Sequence, residues 1–567
     1  MSSETAPSPL RRTPWLPSVF GLVVAFVALA STLSMHIKAD DIWWHLKAGE
    51  YIWTTLTLPD LNIFSFTAPD HAWLPHEWLS EVVFYVIFAH LGPLGLVALG
   101  TLLNTLACAL VYRLTTRYTD SPFASALITL MAALMMMGNY SLRPYLFGNL
   151  FFLGALHLME EPSAGGRLRP VLVFLLFTAW ANFHGSFILG LSLIMLYMAA
   201  AVVTQLRAPR RAFGPLRALS LDLVVGIAAC MVTPHHVYGF LFPFTYLKNA
   251  FSGQLSFLTN ISEWQPAGFD TPLGRMITFY VLFCLFAMAG SFLAPTPAHL
   301  GLLVAFTVFS YSSIRNIPLL GIAATPALAR HLPRAIGRAL RLLGRTGDRP
   351  GLLERLHTRC VAAERRAWKS SLPILAGLFL GIGLLAPAAP LVGYSRQTGV
   401  QELADLSPDF YPAGLLAELE RRGGERRLLN YFNWGGAFIW RLYPRQRVFI
   451  DQRNDCYPIE VFVDYFAVHN LEPDWRAVLE RWEIEEIAYP VGSRLARAID
   501  EEPGWRVAYL DDQAVLFERI VVDWSDEPPG GDEEQAEAAQ RGSRNAFARF
   551  ASSWLTSGEP DFRYIWK

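Results

Sequence analysis

Two adjacent carboxylates, Asp40 and Asp41, stand just after the first long apolar stretch of the chain and just before Trp43, Trp44 and His45. A carboxylate at this point suits two tasks: taking a proton from a hydroxyl nucleophile or ligating a divalent cation. On a helix over 41–54, Asp41 and His45 share one face at i and i+4; Asp40 is the alternative acid. The same residues also fit a plainer arrangement, with the aspartates as an N-cap and Trp43, Trp44 and Trp53 as an interfacial aromatic belt. His71, His76 and Glu77 follow in the same connection. With Asp41 and His45, His76 and Glu77 offer donors to a metal such as zinc. The spacing matches no standard zinc pattern, so a hydrogen-bonded loop anchor is the other reading.

Two arginines break a pattern. Arg143, in Asn139-Tyr140-Ser141-Leu142-Arg143-Pro144, and Arg315, in Ser313-Ile314-Arg315-Asn316, fall in short apolar turns on the side of the chain that otherwise avoids basic residues. A guanidinium is a planar fork that fits phosphate, so the pair suits a lipid phosphate or diphosphate. Snorkelling to lipid headgroups is the competing account. Trp180-Ala181-Asn182-Phe183-His184-Gly185-Ser186 interrupts two apolar runs with polar groups, and such backbone is tolerated at membrane depth only against protein or a wet cavity. Glu263-Trp264 lines a later connection on the same side as Asp41. Farther on, Asn433-Trp434-Gly435-Gly436 and Asp451-Gln452-Arg453 follow expected strands, where α/β domains place ligands. Asn433, Asp451 and Arg453 are therefore binding candidates beside His45, Glu77, Arg143, His184, Glu263 and Arg315. Asp451 with Arg453 equally suits a structural ion pair.

The elements that must position these groups are mostly apolar helices. The chain has 567 residues, 53% hydrophobic and only 17% charged. Runs near the ~20 residues that cross a bilayer recur, predicting about eleven spans near 17–37, 93–113, 121–138, 144–160, 170–186, 187–206, 219–234, 273–293, 298–313, 317–330 and 372–392. The first follows Arg11 and Arg12 without a small-residue cleavage site, which predicts an uncleaved anchor. The segment 78–90 is apolar but short, which predicts an interfacial helix within a first external loop at 38–92. Residues 393–524 predict a small soluble α/β domain. Its β-like runs are Leu428-Leu429, Val448 to Ile450, Ile484 to Tyr489, Val507 to Leu510 and Ala514 to Phe517, with helices near 458–469 and 473–483. Residues 525–567 predict an acidic, disordered tail with an aromatic end.

Sidedness follows from the basic residues. Arg113, Arg117, Arg167, Arg169, Arg207, Arg210, Arg211, Arg217 and the many arginines from Arg330 to Arg366 fall on one side when the spans alternate. That side is the cytoplasm, which places the C-terminal domain outside. The net charge of −1 gives no reason to expect a nucleic-acid partner. Of Cys108, Cys230, Cys284, Cys360 and Cys456, only Cys456 falls in the external region, so no external intrachain disulfide is expected, as suits a bacterial envelope protein. The span interiors hold almost no ionisable residues, with His157 and Asp222 toward their cytoplasmic ends. That argues against a transporter or flippase, whose polar site lies near the midplane.

With these residues in view, the chain resembles the GT-C class of membrane glycosyltransferases, which includes oligosaccharyltransferases, protein O-mannosyltransferases and lipid A aminoarabinose transferases. The resemblance rests on an acidic residue opening the first external loop, interfacial helices in that loop, many spans and an external C-terminal domain. Asp41-Ile-Trp-Trp-His-Leu, Phe64-Ser-Phe-Thr, His76-Glu-Trp-Leu, Arg143-Pro and Trp180-Ala-Asn-Phe-His-Gly are more closely similar to uncharacterised bacterial membrane proteins placed near that class. It covers most of 17–524 and implies a polyprenyl-phosphate-linked sugar donor, a glycan, lipid or protein acceptor, and catalysis at the outer face of the inner membrane. Asp41 corresponds to the class's acidic residue. The Trp-Trp-Asp motif of oligosaccharyltransferases is missing from the soluble domain. A flippase or a non-enzymatic scaffold are the rival expectations.

Overall fold

The computed structural model describes residues 41–139, 141–161, 166–207, 213–251, 262–343 and 411–520, with 21–24, 26–27 and scattered positions within 355–362. Asp40, most of the expected first span, the expected span at 372–392 and the tail at 525–567 lie outside the described residues.

The first part of the chain is helical: α1 (Ile42–Thr55), α2 (Trp78–Thr115), α3 (Pro122–Met136), α4 (Tyr145–Glu160), α5 (Arg169–Phe183), α6 (Phe187–Arg207), α7 (Gly214–Cys230), α8 (His236–Phe251), α9 (Pro272–Ser291), α10 (Pro297–Ser312), α11 (Ile317–Ala323) and α12 (Thr325–Leu343). Several begin with a readable start signal. Ser121, Thr271 and Thr296 each accept a backbone N–H three residues on, and each is followed by proline at the first helical position. Among the described residues three stretches are long and apolar enough to cross a membrane: Gly95–Thr115, Phe187–Arg207 and Pro272–Ser291. The helices α3, α4, α5 and α10 have 15 or 16 residues. At about 1.5 Å per residue they are shorter than a ~30 Å hydrocarbon layer.

The expected interfacial segment and the span after it form one hydrogen-bonded run. It is broken at Gly92, whose φ of 64° only glycine adopts freely, and at Pro93, which lacks an N–H to donate. Helix α8 stands where the sequence reading placed only a loop; Pro243 inside it masks the helical pattern. Gly49 lets α1 cross α2 closely, because a Cβ there would meet the Glu81 carbonyl oxygen at 2.1 Å.

The second part is an α/β unit with α13 (Ala413–Arg422), β1 (Leu428–Asn430), α14 (Gly435–Leu442), α15 (Ile459–Asn470), α16 (Trp475–Arg481), β2 (Glu486–Pro490), α17 (Arg494–Glu501), β3 (Trp505–Leu510) and β4 (Ala514–Arg519). The sheet order is β1-β2-β4-β3, with β1 parallel to β2 and the other pairs antiparallel. Val448 to Ile450, expected as a strand, does not join this sheet. It pairs with the first loop through a parallel Ser65–Val448 bridge, in which Phe66 N–H donates to Val448 O and Val448 N–H to Phe64 O, both at 3.1 Å. The Ser65 and Thr67 hydroxyls both donate to Phe449 O, at 3.3 and 2.6 Å. A physical role for Phe64-Ser-Phe-Thr is thus to bind the loop to the distant domain.

The core ignores chain order. One apolar cluster joins Ile42, Trp43, Leu46, Phe64, Trp73 and Phe84 to Tyr411, Phe438, Phe449, Ile487 and Phe517 of the α/β unit. A second fills the helical bundle, from Ala107 through Phe152, Trp180 and Ile277 to Leu332. The first loop therefore packs as part of the α/β unit. Trp43 and Trp44, expected in an aromatic belt, are buried in this core at 3% and 9% exposure, whereas Trp53 is half exposed.

Candidate active site

Asp41 occupies the position before α1 but makes no capping hydrogen bond with its side chain. Its carboxylate instead lies 3.1 Å from the Arg143 guanidinium, in the turn before α4. Arg143 also donates to Glu263 at 2.7 Å, and Glu263 lies 3.8 Å from Arg315. Arg315 in turn stacks over the Trp264 ring at 4.3 Å. Four segments up to 274 residues apart in sequence are thereby strung into one alternating chain, Asp41–Arg143–Glu263–Arg315. Loop contacts hold it: Ser313 Oγ donates to Glu263 O, and Ile314 N–H to Gln265 O. Burial pushes the Glu263 carboxyl upward, but Arg143 and Arg315 outweigh it and hold the group below its ordinary range.

Glu77 and His184 meet nearby. His184 Nε2 lies 3.2 Å from Glu77 Oε1, and His76 Nε2 lies 3.7 Å from the same oxygen. Ser186 fixes the His184 tautomer: its backbone N–H donates to Nδ1 at 3.1 Å, so the proton is on Nε2, aimed at Glu77. Trp180 Nε1–H donates to Ser186 Oγ at 3.0 Å, leaving the hydroxyl hydrogen for His184 Nδ1 at 2.6 Å. The loop is bolted to this motif by Trp78 Nε1–H donating to Asn182 Oδ1 at 3.0 Å and Ser80 Oγ–H to Phe183 O at 2.6 Å. His76 stacks on Phe242 and faces Asp455 at 3.9 Å. Burial raises Glu77 above the ordinary carboxylate range. His76, Arg315 and Arg143 pull it down and Asp455 adds to the rise.

His45 is turned into the interior, where its partner is Glu81. It is 2% exposed, with Nδ1 3.3 Å from Glu81 Oε1. Burial lowers His45 well below its ordinary value, helped by Arg143, His76 and His184, and raises Glu81 well above its own. The sequence reading passed over Glu81; its signal is an acid one helical turn after Glu77 in an otherwise apolar run. Among the described residues no group of three or more His, Cys, Asp or Glu is arranged to hold a metal ion. His71 is apart from the cluster, in the turn closed by the Leu61–Ala72 bridge.

Asp451 and Arg453 form the ion pair that the sequence left as one alternative. Both side chains are fully buried, with Arg453 Nη2 donating to Asp451 Oδ2 at 2.7 Å and to Asn62 Oδ1 at 2.8 Å. The guanidinium lies over the Phe64 and Trp73 rings, at 4.8 and 4.6 Å. Asn62 closes the joint by donating to Cys456 O at 3.0 Å. Through Asn62 the pair fastens the first loop to the α/β unit, while Arg453 Nη1 is buried without a hydrogen-bond partner among the described residues. Asn433 lies in the turn before α14, where its amide reaches the Tyr431 hydroxyl at 3.5 Å. Gly435 next to it packs on the Ile450–Asp451 backbone, where a Cβ would come within 2.5 Å.

The opposite ends of the same helices carry a different polar set. Arg169, opening α5, clasps Asp222 with Nη2 at 2.7 Å and Nε at 3.0 Å. Glu160, closing α4, accepts from Tyr118, Tyr197 and His299. Arg117 pairs with Glu161 at 2.7 Å. So Arg143 and Glu160, at the two ends of α4, belong to separate polar clusters. Comparison with protein families and with curated protein sequences finds no match to this chain.

Proposed function

We propose that the chain is a GT-C-type membrane glycosyltransferase that moves a sugar from a polyprenyl-phosphate-linked donor to an envelope acceptor. In this reading it crosses the bacterial inner membrane about eleven times. The basic helix ends lie in the cytoplasm, and the Asp41 cluster and the α/β unit lie on the outer side. One observation carries the reading: the acid of the first loop and the two unexpected arginines belong to a single ion-pair chain. Glu263 bridges the two guanidiniums as an anion of phosphate-like charge would. A donor phosphate then competes for the position Glu263 occupies, and cationic forks on it ease departure of the leaving group. Asp41, partly exposed beside Arg143, is the acid nearest to that phosphate and takes the acceptor's proton in this scheme. The sugar C1–O(phosphate) bond breaks as the acceptor oxygen attacks, and the phosphate leaves with the electron pair. Glu77 and His184 line the same centre and orient the sugar by hydrogen bonds.

The test is mass spectrometry of lipid-linked sugars and envelope glycans in a strain lacking the chain, complemented with wild type or Asp41→Asn. Loss of one glycan, accumulation of its lipid-linked precursor and failure of Asp41→Asn to restore it are expected. An unchanged glycan profile on deletion overturns the reading. Full restoration by a folded Asp41→Asn overturns the role of Asp41. Substrate accumulation in proteoliposomes without product identifies a transporter instead.

A further inference from the structure

The last helix of the bundle changes character along its length. From Thr325 to Ala329 every residue of α12 is buried, and His331 and Leu332 are too; beyond them Arg334, Arg338, Ala339, Arg341 and Leu342 are exposed. At 100° per residue, Arg330, Arg334, Arg338 and Arg341 fall within an arc of about 80°, and Leu332, Ile336 and Leu340 fill an equal arc nearly opposite. No aspartate or glutamate occurs between Asp270 and Asp348. Among the described residues, Arg334, Arg338 and Arg341 have no ion-pair partner, and Arg334 donates only to its own helix, at Arg330 O. The water-facing α/β unit is different: Arg421, Arg427, Arg447, Arg476, Arg506 and Arg519 each meet a glutamate.

Apolar groups lie exposed beside these cations. Phe292, just after α9, is 75% exposed with Arg338 stacked over its ring at 4.0 Å, and Leu342 is 76% exposed. Unpaired arginines next to exposed phenylalanine and leucine fit a surface that offers both anions and hydrocarbon. Water alone leaves the apolar groups uncovered, and an acidic soluble partner does not account for their position at the end of apolar α9. We propose that the Arg334–Leu342 end of α12, with Phe292, binds the phosphate headgroups of anionic phospholipids. The guanidiniums engage the phosphates while Phe292 and Leu342 enter the headgroup–acyl boundary. The proposal rests on the membrane reading above but is independent of glycosyl transfer.

The full-length chain is reconstituted in nanodiscs of phosphatidylcholine alone or with phosphatidylglycerol, and co-purifying lipid is counted after transfer to detergent. Wild type is expected to retain phosphatidylglycerol and to melt higher in its presence. Arg334→Gln/Arg338→Gln/Arg341→Gln should lower that retention roughly tenfold or more, while Arg421→Gln/Arg427→Gln/Arg476→Gln leaves it unchanged. Should the first variant misfold, raised salt applied to wild type is decisive, since screening must strip the enriched lipid. Inorganic phosphate alone should give no melting shift, which separates a headgroup surface from a simple phosphate site. Equal retention by wild type and the triple variant, or retention indifferent to salt, overturns the proposal. A melting shift from inorganic phosphate equal to that from phosphatidylglycerol overturns it as well. Recovery of the chain in water without detergent or lipid overturns the membrane reading instead.

Discussion

Three of the aspartate–arginine pairs among the described residues have similar contact distances and different surroundings. Asp451–Arg453 and Asp222–Arg169 are closed: their side chains are between 0% and 9% exposed, and further protein groups, such as Leu158 O on Arg169 and Asn62 Oδ1 on Arg453, continue their hydrogen bonding. Asp41–Arg143 is about 20% exposed on both sides and continues into Glu263 and Arg315. A closed pair has exchanged its water for protein and behaves as a fastening. An open chain of alternating charges keeps part of its hydration and can swap one anion for another. Burial and continuation, more than the contact distance, separate the fastening from the candidate site.

That contrast can be broken, and the largest effect belongs to the closed pair. Asp451→Asn leaves a buried guanidinium without its counter-charge, which costs about 3–5 kcal/mol. Loss of folded, extractable protein by size-exclusion chromatography is expected; a normal yield and melting curve would contradict the account of the joint. Arg143→Gln acts on the open chain. Its stability change should stay within about 1 kcal/mol, while glycan restoration falls by roughly a hundredfold. Glu263→Gln sharpens the same point. With the bridging carboxylate neutralised, calorimetry should show pyrophosphate binding roughly tenfold tighter, and no gain would argue against an exchangeable anion position.

A smaller effect concerns pH. The folded pKa of His45 is depressed, so its contribution is present above the ordinary value of 6.5 and is lost as pH falls through the folded value. The raised Glu81 has the opposite slope, with its contribution full below 4.5 and lost as pH rises through the folded value. Melting temperatures from pH 7.5 to 5 should therefore fall less in His45→Gln than in wild type; parallel curves would show that His45 is not the group responsible. At the far end of the scale, Arg421→Ala removes a solvent-exposed pair on α13 and should leave the melting temperature unchanged.

Much of this contrast is written locally in the chain, and part of it is not. Helix starts at Ser121, Thr271 and Thr296 and the apolar runs after them are short-range patterns, so most helices begin and end within a few residues of where the sequence places them. Arg143 and Arg315 stand out because they violate a compositional bias, which one chain suffices to reveal. That Glu263 lies between them depends on tertiary contacts with no local signature. Val448 to Ile450 has the composition of a strand, yet it forms only a single bridge, at Val448. Its partner is the first loop, nearly four hundred residues earlier, and no period in the sequence names that partner. Trp43 and Trp44 mislead for the same reason: tryptophan suits a lipid interface and a protein core equally well, and only the docked α/β unit decides between them.

The seam between Phe64–Thr67 and Val448–Ile450 also sets an order of events during synthesis. Thr67 and Phe449 are 382 positions apart, so at about 5–20 residues per second the earlier segment waits roughly 20–80 s for the later one to emerge. Throughout that interval the helix that follows Asp41 lacks the apolar partners that the α/β unit supplies, Tyr411 and Phe438 among them. The seam therefore closes only as the ribosome reaches the last quarter of the chain, after every member of the Asp41–Arg143–Glu263–Arg315 chain has already been made.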